Sequence, residues 1–278
     1  MKYILIACVL FTSTNLTAQK KEKIKGSKIV TVTIKELQNF KNIEVNDNLE
    51  VFLVKNEKPS IEIEADDNLH DAIAFEVTGN TLKVIATKEV SGAKKFAVRI
   101  NYTNDLRTIS ARNESKINAL AELALDSISI NNFDKSKSYL NVKSTHFSIN
   151  LSDKSEAELN IKADVSHIEA NKDADLKALI NSPESKINLY QKAIAEIEGD
   201  TEKSKIRLDN NANLIAKKYT VKNLSITTES YSKCSVTATK EVQMAASGKS
   251  EIELYGEPVK LELTKFSQSA ILYKKEQI

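Results

Sequence analysis

Residues 136–151 read SKSYLNVKSTHFSINL, residues 155–170 read SEAELNIKADVSHIEA and residues 174–189 read ADLKALINSPESKINL. Each segment begins with a small residue, and consecutive segments begin 19 residues apart. A fixed period of this length predicts a stacked array, because one such unit cannot bury its own apolar face without its neighbours. The small residue recurs as an anchor at Ser115, Ser136, Ser155, Ala174, Ala193, Ala212, Ser232, Ser250 and Ser269.

Two strands are predicted in each unit. Apolar or small residues lie two and four places after each anchor with mostly polar residues between them, and this period of two is typical of a half-buried strand. Ile226 comes one place late and Met244 one place early, so we expect the length changes to lie between the strands, where they shift no side chain to the wrong face. The second strand is marked 13 and 15 places after the anchor by Ile128 and Ile130, Ile149 and Leu151, Ile168 and Ala170, Ile187 and Leu189, and Ile206 and Leu208.

Strands that pair with their equivalents in the next unit predict an all-β fold of the parallel β-helix (β-solenoid) type, with rungs of about 19 residues. Eight full turns and a partial ninth at a strand spacing of about 4.8 Å would give a rod roughly 40 Å long. Each large aliphatic side chain buried in its interior contributes about 1.5 to 3 kcal/mol. We therefore expect Ile149, Ile168 and Ile187 to lie in one file along the axis.

The chain before the first anchor is divided into three predicted segments. Residues 1–18 are typical of a secretory signal peptide cleaved before Gln19, with a lipoprotein acylated at Cys8 as the alternative. Residues 19–27 are predicted to form a flexible lead-in, and residues 28–113 to form irregular β layers that cover one end of the regular rungs of residues 114–278. The predicted strands of these layers are 28–34, 42–45, 49–54, 60–65, 73–77, 81–86 and 95–102.

Composition excludes several classes of protein. The chain has 40 basic residues, and removal of residues 1–18 takes away Lys2 and leaves 39, against 38 acidic residues. This nearly neutral balance argues against a nucleic-acid partner or a polybasic membrane anchor. No later stretch offers 18 consecutive apolar residues, so we expect no transmembrane segment. Cys234 is the only cysteine after residue 18, so no internal disulfide is possible.

From about Phe40 to its end, the chain also resembles a known family. The segments that carry the resemblance are FKNIEV at 40–45, LEVFL at 49–53, IEIEADDNL at 61–69, GNTLKV at 79–84 and VRI at 98–100, followed by Leu106 to Ile109 before the first anchor. This order resembles the head GIN domain, DUF2807, labelled putative auto-transporter adhesin and common in secreted proteins of the Bacteroidetes. The resemblance implies a right-handed β-helix in the cell envelope and no catalytic residues. Lys or Asp stands where that family often has glycine before the anchor.

The candidates for chemistry are each better explained by structure. A serine nucleophile needs a base within hydrogen-bond reach, and no histidine recurs with the period of the Ser anchors. We therefore interpret the anchors as a corner ladder of small side chains and not as nucleophiles. His70, His146 and His167 show no metal-ligand spacing. Cys234 falls in an inward column and is predicted to be a buried thiol. The acidic residues of Asp66-Asp67-Asn68 and of Asp173 and Asp175 fall at turns, where Asp is expected without calcium. We therefore predict no catalytic residues, no metal and no cofactor.

The outward columns of the second strand are predicted to form one long polar face. Three functions fit it: a surface adhesin or scaffold, a polysaccharide-binding module that depends on Lys205 and Arg207, and, less favoured, a polysaccharide-degrading enzyme, which needs clustered carboxylates. We predict the first, a non-catalytic exported protein in the periplasm, at the outer-membrane surface or outside the cell, with a protein or glycan ligand. The face comprises Ser127, Ser129, Ser148, Asn150, His167, Glu169, Lys186, Asn188, Lys205 and Arg207.

Overall fold

The computed structural model describes residues 21–267 and 269–276, so the predicted signal peptide and Cys8 lie outside the described residues. The first part of the described chain forms β1 (Lys23–Lys25), β2 (Val30–Glu36), β3 (Asn42–Asn46), β4 (Glu50–Lys55), β5 (Ser60–Asp66), a 3₁₀ helix (Asp67–Ala72), β6 (Ile73–Thr78), β7 (Thr81–Ala86), β8 (Glu89–Ser91) and β9 (Phe96–Tyr102). No helix in these ranges has the length and hydropathy needed to cross a bilayer.

The second part continues the β structure as a parallel stack. Its strands are β10 (Thr108–Ala111), β11 (Lys116–Ala119), β12 (Leu123–Ala124), β13 (Ser127–Asn132), β14 (Lys137–Leu151), β15 (Glu156–Ala170), β16 (Asp175–Leu189), β17 (Ile194–Leu208), β18 (Asn213–Thr228), β19 (Lys233–Ala246), β20 (Glu251–Tyr255), β21 (Lys260–Phe266) and β22 (Ile271–Lys275). From β14 to β19 each strand supplies a whole turn and pairs in parallel with the turn before and after it. The chain is therefore a β-solenoid of about 9 turns with rungs of about 19 residues.

Each long strand has two arms. In β15 the alternation of buried and exposed residues changes phase at residues 164–165, which marks a corner between a first arm at 156–161 and a second arm at 165–170. The two strands predicted per unit are thus the two arms of one strand that continues through its corner.

The predicted interior file is confirmed. Ile149 lies opposite Ile168, and Ile168 lies opposite Ile187, in consecutive turns. All three side chains are at most 2% exposed. Stacking of the same apolar position from turn to turn therefore builds the core, as the period indicates.

Two assignments at the ends of the repeat were wrong. The first unit is longer, and the register places Ile130, not Ile128, opposite Ile149. In the last unit Ala270 takes the anchor position instead of Ser269, because its N–H donates to the carbonyl of Ser267 across the same tight turn as in earlier units. The inward residue there is accordingly Leu272, and Ile271 is 44% exposed.

The two units of unusual length keep their second arms in register. The irregularities lie between Glu196 and Gly199 on β17 and, on β18, between Ala216 and Thr220 and between Val221 and Asn223, so they fall at the end of the first arm and at the corner. Ile226 still lies opposite both Ile206 and Met244. The second arms therefore keep their register, as predicted, whereas the extra residue of the 20-residue unit lies near the end of the first arm and not between the arms.

The turns before the anchors explain how the chain manages with few glycines. Asp153, Lys172 and Gln191 each adopt a left-handed backbone with φ of 65°, 60° and 60°. This conformation costs a residue with a β-carbon about 1 kcal/mol or more. The Lys172 carbonyl accepts a hydrogen bond from the N–H of Lys192 at 3.0 Å, and the same bond repeats from turn to turn. This ladder offsets the strain, so Lys and Asp replace the glycine that the family resemblance leads one to expect.

The N-terminal part closes one end of the stack. β3 and β4 form a layer between β10 and β11 on one side and β7 and β9 on the other. The strands β2, β5 and β6 pair antiparallel beyond this layer, so this end is not a simple continuation of the coil. Part of the predicted flexible lead-in is ordered as well, because Lys23–Lys25 forms β1 and pairs with β8.

Candidate functional site

The second arms place one polar residue per turn in a straight outward file. His167 lies opposite Lys186, and Lys186 lies opposite Lys205. Adjacent strands lie about 4.8 Å apart, so this spacing separates the backbone positions of the three residues. We call His167, Lys186 and Lys205 the cationic file.

A shallow groove of about 570 Å³ runs along this face. Its charged residues include four lysines and three glutamates. Lys203 pairs with Glu184 at 3.5 Å, and Lys260 pairs with Glu262 at 3.6 Å. The groove is lined by Val165, Glu184, Ser185, Lys186, Lys203, Ser204, Lys205, Asn223, Leu224, Ser225, Glu241, Val242, Gln243, Lys260 and Glu262.

The two lysines of the cationic file are left to solvent. Within the described residues neither Lys186 nor Lys205 has a carboxylate partner within salt-bridge distance, and both are exposed. Arg207, in the next file, pairs with Glu229 at 2.6 Å and is therefore less available to a ligand. Of the two residues that the sequence analysis singles out for polysaccharide binding, Lys205 is thus the better placed.

His167 has a lowered pKa because burial disfavours its charged form and because the ammonium of Lys186 lies nearby. The carboxylate of Glu169 acts in the opposite direction and does not outweigh them. The imidazole is therefore mostly neutral near pH 7, where the file carries the two lysine charges.

The Ser anchors face the backbone. Ser136 Oγ donates to the carbonyl of Ala111 at 2.9 Å, and Ser232 Oγ donates to the carbonyl of Glu229 at 2.8 Å. Ser155 Oγ accepts from the N–H of Ser152 at 3.0 Å. All three residues are fully buried, so their hydroxyls hydrogen-bond to backbone groups inside the structure, at the turn that precedes each first arm.

The other candidate residues are spread over the molecule. His70 Nε2 lies 2.8 Å from Thr31 Oγ1 near the N-terminal end, while His146 and His167 occupy different files of neighbouring turns. Cys234 is buried between turns, and burial raises the pKa of its thiol. Among the residues that the structure describes, no group of three or more His, Cys, Asp or Glu is placed to hold a metal ion.

Asp66 binds backbone amides. Its carboxylate is fully buried and accepts hydrogen bonds from the N–H groups of Lys28 at 2.8 Å, Lys95 at 3.0 Å and Lys94 at 3.1 Å. Burial by itself would raise the pKa of Asp66. The hydrogen bonds from the three N–H groups lower this pKa by more than burial raises it, so the pKa of Asp66 lies below its ordinary value. The carboxylate therefore ties two segments of the N-terminal end together.

A second groove, of about 1120 Å³, lies beside the turns at the N-terminal end. Its apolar residues include Val90, Ala93 and Phe96, and lysines such as Lys88 and Lys154 lie along it. No pattern in the sequence indicates this groove, because it forms between distant parts of the chain.

Comparison with known proteins supports the fold and identifies the family. A putative adhesin from Parabacteroides distasonis shares 17% identity with a TM-score of 0.64, and one from Parabacteroides merdae shares 16% with a TM-score of 0.61. A structure described as a putative lipid binding protein from P. distasonis shares 15% with a TM-score of 0.60. Each match covers 91% of this chain and 100% of the other. At these identities the likeness shows the fold alone.

None of the curated proteins compared with the chain matches it in sequence. The family model of DUF2807, described as "Putative auto-transporter adhesin, head GIN domain", matches residues 39–179 and again residues 148–258. These two ranges together cover most of the chain. The chain therefore belongs to the DUF2807 family, as the resemblance of the chain from about Phe40 onward to the head GIN domain predicts.

Proposed function

We propose that this protein is an exported, non-catalytic binding protein of the cell envelope that holds an extended anionic polymer, such as a uronate-bearing glycan, on its second-arm face. Membership of an adhesin-type family supports a surface role. The predicted signal peptide at residues 1–18 supports export.

The cationic file is the observation that carries this proposal. A ligand that runs along the axis meets Lys186 and Lys205 in successive turns, and both ammonium groups are free of carboxylates among the described residues. Two ammonium groups in neighbouring turns suit a polymer with a regular row of opposite charges, because two successive repeats each meet an equivalent partner. The groove of about 570 Å³ gives the polymer a concave bed.

The non-catalytic part of the proposal rests on the surroundings of the candidate groups. The Ser hydroxyls are engaged by backbone, the Cys234 thiol is buried, and the Asp66 carboxylate is held by three N–H donors. Catalysis of glycan cleavage needs a carboxylate or base that reaches the scissile bond, and two of the three glutamates that line the groove, Glu184 and Glu262, are paired with lysines. Incubation with each bound glycan should therefore leave its chain length unchanged.

A glycan array tests the ligand class. Uronate-bearing, sulfated and neutral glycans are compared with the wild-type protein, with the double variant Lys186→Glu and Lys205→Glu, and with the matched control Lys143→Glu and Lys162→Glu. The control pair lies opposite one another in neighbouring turns and is exposed, so it makes the same charge change at a different position.

We expect anionic glycans to bind the wild type and the control variant, and to be lost from the Lys186 and Lys205 variant. The loss should be at least tenfold in affinity, since two attractions become two repulsions. Equal binding of neutral glycans, equal loss in both variants or no binding to any glycan would contradict the proposal.

The N-terminal groove favours a second candidate, an amphiphile with an acyl chain. Its apolar floor at Val90, Ala93 and Phe96 suits an acyl chain, and a fold relative is described as a putative lipid binding protein. Native mass spectrometry of the purified protein with added fatty acid distinguishes the candidates. An adduct that Ala93→Trp abolishes, while the Lys186 and Lys205 variant keeps it, would favour the groove.

A further inference from the structure

The strand β2 carries its apolar residues on the solvent side. Val32 and Ile34 are 53% and 65% exposed, and Ile29 just before the strand is 62% exposed. On the neighbouring strand β5, Glu64 lies opposite Val32 and Glu62 lies opposite Ile34, and both glutamates belong to the charged outer face. A strand that served only as a cover would turn its apolar side inward, so the pattern is reversed.

The same strand has a free edge. Within the described residues, β5 is the only strand that pairs with β2. The carbonyl of Ile29 accepts from the N–H of Asp67, and the N–H of Leu37 donates to the carbonyl of Pro59. Because antiparallel bonding alternates, Thr31, Thr33 and Lys35 direct their backbone groups toward β5. The backbone groups of Val30, Val32 and Ile34 therefore point to the open edge.

The opposite end of the stack is protected, and β2 is not. In β22 the core-side file that contains Leu254 continues as Lys274, so a charge occupies the inward position of the final turn. An inward charge at an edge discourages pairing with another chain. The strand VTVTIKE of β2 has no proline, no bulge in its pairing with β5 and no charge before Lys35.

We propose that β2 is the interface of a homodimer, in which two copies of this chain pair antiparallel through β2 about a twofold axis at Val32. The strand is complementary to itself in this register. Val32 lies opposite Val32 of the second copy, Val30 opposite Ile34, and Thr31 opposite Thr33. Aliphatic and threonine pairs of this kind stabilise antiparallel sheets.

The register follows from the side chains. A pairing shifted to a centre at Thr33 would place Val30 opposite Glu36 of the second copy and Val32 opposite Ile34. That arrangement buries fewer apolar pairs beside the same backbone bonds, so the centre at Val32 is preferred. The dimer joins the two antiparallel sheets into one and leaves both cationic files outside the β2 interface.

The mass of the purified protein in solution is the first test. Analytical ultracentrifugation should show a concentration-dependent dimer in the wild type and a monomer in the variant Val32→Lys with Ile34→Lys. The control Leu179→Lys with Ile194→Lys should stay dimeric, since these residues are similarly apolar and partly exposed, at 40% and 41%, on strands paired along both edges. Circular dichroism verifies that both variants fold.

Disulfide trapping tests the register. In the proposed dimer the two copies of residue 32 form a hydrogen-bonded pair with Cα atoms about 5.5 Å apart, which a disulfide can span. Under a mild oxidant Val32→Cys should form a covalent dimer, while Ile34→Cys should not, because it faces residue 30. The native Cys234 is buried and serves as the unreactive background.

A wild-type protein that stays monomeric, with no covalent dimer from Val32→Cys, would overturn the proposal. So would a dimer that survives Val32→Lys with Ile34→Lys. Trapping by Ile34→Cys instead of Val32→Cys would refute the proposed register.

Discussion

The hydroxyl of Tyr219 donates a hydrogen bond to Ser185 Oγ at 2.8 Å, although the two residues belong to turns separated by a third. The residue that lies between Tyr219 and Ile180 in the ladder is Gly199, which has no side chain to block the phenol. Ser185 Oγ in turn donates to Ser204 Oγ at 2.8 Å. A small polar cluster thus lies inside the stack, and a fully buried tyrosine fixes it.

Removal of the Tyr219 hydroxyl should destabilise the fold modestly. Tyr219→Phe leaves Ser185 with its bond to Ser204 but removes one buried hydrogen bond, which costs about 1 kcal/mol. Urea unfolding of the variant measures this change. Tyr139→Phe, at a 38% exposed tyrosine, is the control and should change the free energy of unfolding little. An equal effect at both sites would contradict the role of the cluster.

Gly199 should tolerate no side chain. Its φ is +111°, and a β-carbon there would overlap the carbonyl oxygen of Ile180 and lie 2.9 Å from the carbonyl carbon. Gly199→Ala should therefore lower the free energy of unfolding by roughly 2 to 4 kcal/mol. The same substitution should disrupt the hydrogen bond between Tyr219 and Ser185. Gly79→Ala is the control, because Gly79 also has a positive φ but a β-carbon there would meet no atom within 4 Å. This variant reports backbone strain without the clash, so its loss in the free energy of unfolding should be smaller.

The stacked isoleucines should carry much of the stability. Ile168 is fully buried between Ile149 and Ile187, so Ile168→Ala opens a cavity shared by three turns. The expected loss is roughly 2 to 5 kcal/mol in denaturant unfolding. Ile215→Ala removes the same atoms at a residue that is 39% exposed and should cost far less. Similar losses at the two positions would mean that the file does not form the core.

Asp66 should make the N-terminal end sensitive to acid. Its folded-state pKa is below the ordinary value, so its carboxylate stabilises the fold above about pH 4 and loses that effect as pH falls through the lowered pKa. The difference in stability between the wild type and Asp66→Asn should shrink in that window. Hydrogen exchange at Lys28 and Lys95 follows the release locally.

The architecture could be predicted because each turn obeys the same constraint. The period of Ser136, Ser155 and Ala174 reports which residues turn inward, and stacking leaves one way to bury them. Within the repeat, the assignments of Ile128 and Ser269 were wrong because the period breaks there and the units have no regular neighbour on one side.

The candidate site was only partly predictable. The outward positions of His167, Lys186 and Lys205 follow from the strand period, but which lysines lack a carboxylate partner depends on side-chain reach across turns. The Tyr219 cluster was missed for a related reason. Two sequence features mark the cluster, the glycine at position 199 and the 20-residue unit that follows it. Neither feature alone predicts that the side chain of Tyr219 points into the space that Gly199 leaves.

Anion binding should strengthen in mild acid. The lowered pKa of His167 keeps the imidazole mostly neutral near pH 7, and protonation below its ordinary pKa of about 6.5 would add a third charge to the cationic file. Affinity for a uronate oligomer should rise roughly two- to fivefold as the pH falls from about 7.5 through the lowered pKa of His167, the range for one added charge pair. His167→Gln should remove this rise without weakening binding at the higher pH. A rise that persists in the variant would assign it to another group.

Lysine footprinting with bound oligogalacturonate tests the binding face most directly. The protein is acetylated with and without the oligomer, and each lysine is followed by mass spectrometry. Protection of Lys186 and Lys205, with Lys143 and Lys162 modified as in the free protein, is the expected result. Unchanged acetylation at Lys186 and Lys205 while the oligomer is bound would contradict the assignment of this face.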